Sequence, residues 1–184
     1  MKSKSIFTFL FFALLCLSCK NEEKKENQEK EVSQKPPFTV VLTMTAKEDD
    51  IMTLYFKDKT MCCVTEEMAI YKEVKKGNQE IVFGLPEGFL PNDLRFDLSV
   101  KNPNQVCKVE KIHILNDGKS FDILNQDLEK YLKPNEGVVF DSKDRRYSFK
   151  EVNGNFDPFL TATPDFYSQL VVLVGNNAMQ PPVK

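Results

Sequence analysis

The chain has no tryptophan, one histidine and seven glycines in 184 residues. Sugar-binding surfaces stack pyranose faces on tryptophan or tyrosine, so any such platform here falls to tyrosines: Tyr55, Tyr71, Tyr147 or Tyr167. The lone histidine, His113, lies between Ile112 and Ile114 and reads as a surface-facing strand residue. A serine or cysteine nucleophile is thereby left without its usual basic partner. No paired C-x-x-C spacing joins it, which argues against zinc and leaves no metal site. There is no G-x-G loop, no Walker pattern and no G-x-S-x-G elbow, so no cofactor is expected and nucleotide chemistry is unsupported. Long apolar runs are also lacking. The longest, residues 6–17, falls short of the roughly 20 residues that span a bilayer.

What is present begins at the amino end. Lys2 and Lys4 precede that apolar run, and Ser18 and Cys19 close it. A positive segment, a run of about 12 apolar residues and a small residue make a signal peptide over residues 1–18. The order resembles the lipobox of bacterial lipoproteins, in which the leader is removed and the cysteine, here Cys19, becomes the lipidated first residue. The pattern departs in one place: the leucine usual three positions before the lipidated cysteine is replaced by Cys16, with Leu17 next to it. An ordinary secretory leader with incidental cysteines is the alternative. Lys20-Asn21-Glu22-Glu23 resembles the short charged export signal of Bacteroidota-type surface lipoproteins. Residues 20–37 hold five lysines, five glutamates and one aliphatic residue, Val32. They bury too little apolar area to offset their ordering entropy, so residues 19–37 read as lipidated cysteine and disordered tether. Such a coil spans roughly 23 Å end to end. The resemblance implies a membrane as partner, through an outer-membrane lipid anchor, with surface exposure implied by the export-signal resemblance.

Loss of Lys2 and Lys4 leaves 23 basic against 27 acidic residues. That balance does not suit nucleic acid. Cys62, Cys63 and Cys107 remain as disulfide candidates. Adjacent strand residues point to opposite faces, so at most one of Cys62 and Cys63 suits a bond to Cys107; three buried free thiols are the other reading.

The rest, residues 38–175, reads as one mainly β domain, an antiparallel β-sandwich with one short helix, followed by a tail over 176–184. Residues 38–45 alternate apolar with threonine. Further strands are expected at 51–56, 60–64, 80–85, 94–100, 106–115, 120–124, 138–141, 146–152 and 167–174. Residues 68–74 suit a strand, although Thr65-Glu66-Glu67 also suits a helical turn. The inward set of 106–115 shifts from Cys107 and Val109 to Ile112 and Ile114, which predicts a β-bulge. Asn125 is placed to cap a short helix carrying Leu128, Tyr131 and Leu132, stopped by Pro134. Short strands with turns every 8 to 12 residues suggest a sandwich or barrel.

Residues 83–98, FGLPEGFLPNDLRFDL, and the later FDPFL at 156–160 resemble β-sandwich modules of Bacteroidota-type envelope proteins. The resemblance implies a jelly-roll, carbohydrate-binding-like sandwich and carries over no catalytic residue. Arg95 and Asp97 share a strand face. They are either part of a polar ligand surface, with Tyr55 and Tyr147 as stacking partners, or an exposed ion pair of little worth. Asp49 with Asp50, and Asp141 with Asp144, read as solvated turns and not calcium loops. The functional expectation is a non-enzymatic binding module for a glycan or an envelope protein. A structural or assembly lipoprotein, and less favourably a carbohydrate-active hydrolase with paired carboxylates, are the alternatives.

Overall fold

The computed structural model describes residues 38–63 and 65–175. The leader, Cys19, the tether and the tail over 176–184 lie outside the described residues. The strands are β1 (Thr39–Ala46), β2 (Asp50–Lys57), β3 (Ala69–Val74), β4 (Gly77–Gly84), β5 (Asp93–Asp97), β6 (Val106–Asn116), β7 (Lys119–Leu124), β8 (Leu132–Pro134), β9 (Val138–Asp141), β10 (Arg146–Phe149) and β11 (Leu160–Ala162). Two helices join them, α1 (Leu128–Tyr131) and α2 (Pro164–Val174).

They form two antiparallel sheets. The first runs β4-β1-β6-β10-β9, with β7 sharing the β10 edge of β6; the second runs β3-β2-β5-β11-β8. The chain passes repeatedly from one sheet to the other, a β-sandwich compatible with a jelly-roll. Alternation produces the core. Val40, Leu42 and Met44 of β1 and Ile112 and Ile114 of β6 face Met52, Leu54 and Phe56 of β2 and Leu94 and Phe96 of β5, all buried. Each such side chain contributes about 1.5–3 kcal/mol on burial.

The expected bulge is present. Thr43 pairs with Lys111 but Met44 pairs with Val109, so Glu110 is an extra residue and the inward phase of β6 changes across it. The β6–β7 turn carries Asp117 at φ 50° and Gly118 at φ 75°, the two positive values that a two-residue turn needs to match strand twist. Residues 65–74 satisfy both readings in succession: a 3-10 turn at Glu66–Met68 leads into β3.

Three expectations are corrected. Residues 60–64 form no strand in their described part; the Asp58 carboxylate accepts the Thr60 N–H at 2.7 Å and its hydroxyl at 2.6 Å, and this turn breaks the extended path. Residues 167–174 are helix α2 and not a strand. Thr163 caps it by accepting the Phe166 N–H, Pro164 occupies the first turn, and Phe166, Leu170 and Leu173 recur at helical spacing and are buried. Asn125 caps nothing through its side chain. Its amide donates to the Val109 carbonyl at 2.5 Å and accepts from Arg145 Nε at 2.8 Å, holding the 3-10 turn Asn125–Asp127 that precedes α1 against β6.

Candidate functional site

The outer face of the second sheet brings Arg95, Asp97 and Tyr55 together. Registry sets Tyr55 opposite Arg95, and Thr53 opposite Asp97. Tyr71 of β3 lies opposite Thr53 on the other side. Arg95 Nε and Nη2 each donate to one oxygen of Asp97 at 2.8 Å, a parallel two-bond pairing. Nη2 also donates to Asp157 Oδ1 at 2.5 Å. The guanidinium lies over two aromatic faces, 3.9 Å from the Phe159 ring centroid and 5.1 Å from that of Tyr55. Glu66 accepts the hydroxyls of Tyr55, at 3.3 Å, and of Tyr71.

This is not the solvated ion pair of one sequence reading. The Arg95 side chain retains 20% exposure and that of Asp97 only 9%. Burial lifts the Asp97 carboxyl above its ordinary range; the bonds from Arg95 pull it back in part, and the charges of Asp157 and Glu66 add to the lift. Burial pulls Arg95 down, but its bonds to Asp97 and Asp157 outweigh that and leave the guanidinium firmly charged.

Asp157 and Phe159 arrive from a distant stretch of chain, and Asn135 holds that stretch. Its Nδ2 donates to the Asp157 carbonyl at 2.7 Å, and its Oδ1 accepts the Phe159 N–H and the Gly137 N–H, each at 3.1 Å. A Cβ on Gly137 would come within 3.2 Å of Pro158 Cα, so glycine lets the two segments approach. A polar hollow of about 300 Å³, lined by Asn135, Glu136, Gly137, Val152, Asn155 and Asp157, adjoins the cluster through Asp157. Residues 83–98 and 156–160, far apart in the chain, therefore converge: Arg95 and Asp97 come from the first, Asp157 and Phe159 from the second.

Tyr147 is not part of this face, which corrects its assignment as a stacking residue. It sits on β10 in the other sheet, paired with Cys107, and is 2% exposed with its ring 4.9 Å from that of Phe140. The disulfide expectation is also corrected. Cys62, Cys63 and Cys107 are all free. Cys107 points into the core from the first sheet, whereas Cys62 and Cys63 lie exposed on the β2–β3 loop of the second. The alternative of three buried thiols holds for Cys107 alone, whose pKa burial pushes far up; Cys62 and Cys63 are exposed.

Tyr167 is partly exposed on α2, and His113 pairs with Asp122 on the outer face of the first sheet. Asp50 is a structural acceptor, bonded to the Ile51 N–H at 2.7 Å, the Lys101 N–H at 3.0 Å and the Ser99 hydroxyl at 2.5 Å. Asp141 caps its own turn through the Lys143 N–H at 2.9 Å. Among the described residues, no three His, Cys, Asp or Glu side chains are grouped to hold a metal ion.

In comparisons with known proteins, no protein-family model, no curated protein and no solved structure matches the chain.

Chemically, the cluster is a rigid, shallow face with two tyrosines beside a fixed array of charged hydrogen-bonding groups. Tyr71 is 48% exposed, the most open ring of the set.

Proposed function

We propose that this chain is a lipid-anchored outer-membrane lipoprotein whose β-sandwich is a non-enzymatic module binding a glycan on the outer face of its second sheet. The observation that carries the reading is the Arg95 cluster: a guanidinium over the rings of Tyr55 and Phe159, fixed by Asp97 and Asp157, with Tyr71 open beside it. Strands β2, β3 and β5 hold Tyr55, Tyr71, Arg95 and Asp97, and Asn135 pins the segment carrying Asp157 and Phe159, which lowers the ordering cost of recognition. Both oxygens of Asp97 are engaged by Arg95 at 2.8 Å, which leaves neither free to protonate a leaving group and supports binding over hydrolysis.

The anchor reading rests on the order of Lys2 and Lys4, the apolar run, Ser18, Cys19 and the charged tether. Lys20-Asn21-Glu22-Glu23 supports surface export of the Bacteroidota type. Metabolic labelling with a clickable fatty acid tests it: the label is expected on the wild type and lost in Cys19→Ala. Equal labelling of both would remove the anchor from residue 19.

A glycan panel screened with the purified protein tests the binding reading. Binding to a subset of glycans, lost in Tyr55→Ala/Tyr71→Ala, is expected. Uniform background across the panel would remove it. A second reading, an assembly lipoprotein that docks an envelope protein, draws on Val82 and Leu124, exposed on the outer face of the first sheet.

A further inference from the structure

The β2–β3 loop carries two adjacent thiols. In extended chain their side chains would diverge to opposite faces. Here the backbone bends at both residues and brings Cys62 Sγ and Cys63 Sγ within 3.2 Å of each other, both exposed. The third described cysteine, Cys107, is buried in the other sheet and is no partner for either. The loop is fixed on both sides of the pair. Asp58 holds Thr60 on one side, and on the other Glu66 accepts the hydroxyls of Tyr55 and Tyr71.

We propose that Cys62 and Cys63 form a reversible vicinal dithiol, a site of thiol–disulfide exchange with small-molecule disulfides such as glutathione disulfide. One thiol gives its proton to solvent and its thiolate attacks a sulfur of the small disulfide. A protein–small-molecule disulfide forms, and the first small thiolate leaves and takes up a proton. The second cysteine, deprotonated in turn, attacks the protein-side sulfur. The Cys62–Cys63 bond closes and the second small thiol departs. Two protein thiols are oxidised and one small disulfide is reduced to two thiols. Proximity makes the second step intramolecular, so a mixed disulfide at either position is short-lived.

The product is easily reopened. Adjacent Cα atoms are about 3.8 Å apart across a trans peptide, less than the roughly 4.4 Å at which ordinary disulfides begin. A ring closed across one peptide is therefore strained and readily reduced, the behaviour of a switchable pair and not of a structural staple. The hydrogen bond with Cys62 and that neighbour's charge push the Cys63 thiol above its ordinary pKa, with Lys57 pulling back only in part. Exchange should accordingly quicken as pH rises.

The test uses the full chain, folded, treated with glutathione disulfide, quenched in acid, alkylated and cut with trypsin. Peptide 60–72 contains both cysteines and no other. The proposal expects this peptide unalkylated and lighter by two hydrogens, with both thiols recovered on addition of reduced glutathione. The Cys63→Ser variant has no resolving thiol and should keep one glutathione on Cys62. Two glutathiones on the wild-type peptide, complete alkylation of both thiols, or a cross-link to the Cys107 peptide would each overturn it.

Discussion

Arg95 and Asp97, two residues apart on β5, meet through two parallel hydrogen bonds of 2.8 Å, and the pair is largely withdrawn from water. Neighbouring strands do this. Tyr55 stands beside Arg95 in register, and the Phe159 ring lies against the guanidinium, its centroid at 3.9 Å. The pairing fixes both side chains on the face and makes its stability depend on pH.

Asp97→Ala should lower stability by about 2–3 kcal/mol, because it strands a mostly buried guanidinium on Asp157 alone. Urea unfolding at neutral pH measures it. Asp97→Asn isolates the pH dependence. Burial holds the Asp97 carboxyl above its unfolded value. Between about pH 3.9, the ordinary aspartate value, and that lifted value, the folded state binds more protons than the unfolded one. The contribution of Asp97 to stability is therefore greatest below the window and falls as pH rises through it. The stability difference between wild type and Asp97→Asn should shrink over the same window; a difference that grows there would contradict the desolvated assignment.

Thr53, opposite Asp97, is fully buried, and its hydroxyl has no hydrogen-bond partner among the described residues. Thr53→Val keeps the shape and the branching suited to a strand while removing an unsatisfied group. A gain of about 1 kcal/mol is expected, read as a higher urea midpoint with unchanged m-value.

Asn135 reaches three backbone groups around Asp157 and Phe159. Asn135→Ala should cost about 2 kcal/mol and loosen the Arg95 stack without touching it. Amide exchange should accelerate at Phe159 and Gly137 while β1 and β6 stay protected. Global acceleration across β1 and β6 would show that Asn135 holds the whole sandwich and not this segment.

Helix α2 supports a further comparison along one face. Leu170→Ala should cost about 2–5 kcal/mol, since the side chain is fully buried. Val172, 66% exposed, should tolerate alanine or gain slightly from its better helix propensity. Thermal melts of the two variants read the difference. Comparable losses at both positions would favour a strand buried on both faces over the helix.

The two-sheet fold was legible because burial follows simple periods. The phase change between Val109 and Ile112 announced the bulge at Glu110, and Asp117-Gly118 announced the hairpin. Residues 167–174 misled because Leu170-Val171-Val172-Leu173-Val174 is rich in β-branched residues; the cap and proline at Thr163-Pro164 carried the contrary signal and decide the outcome. Tyr147 was readable from parity: it shares its phase with Phe149, and both face inward. The shared face of Arg95 and Asp97 was visible in their spacing, but the burial of the pair was not. It depends on Phe159 and Asp157, brought across 62 residues to meet Arg95, which no local pattern encodes. The facing sulfurs of Cys62 and Cys63 depend likewise on a backbone bend at both residues that alternation does not reveal.

The most direct test of the account is NMR titration of the purified protein with a glycan that scores in the panel. The account predicts shifts concentrated on the Arg95 Nε–H and the rings of Tyr55, Tyr71 and Phe159. Shifts confined to the opposite sheet, around Val82 and Leu124, or none at saturating glycan, would contradict it.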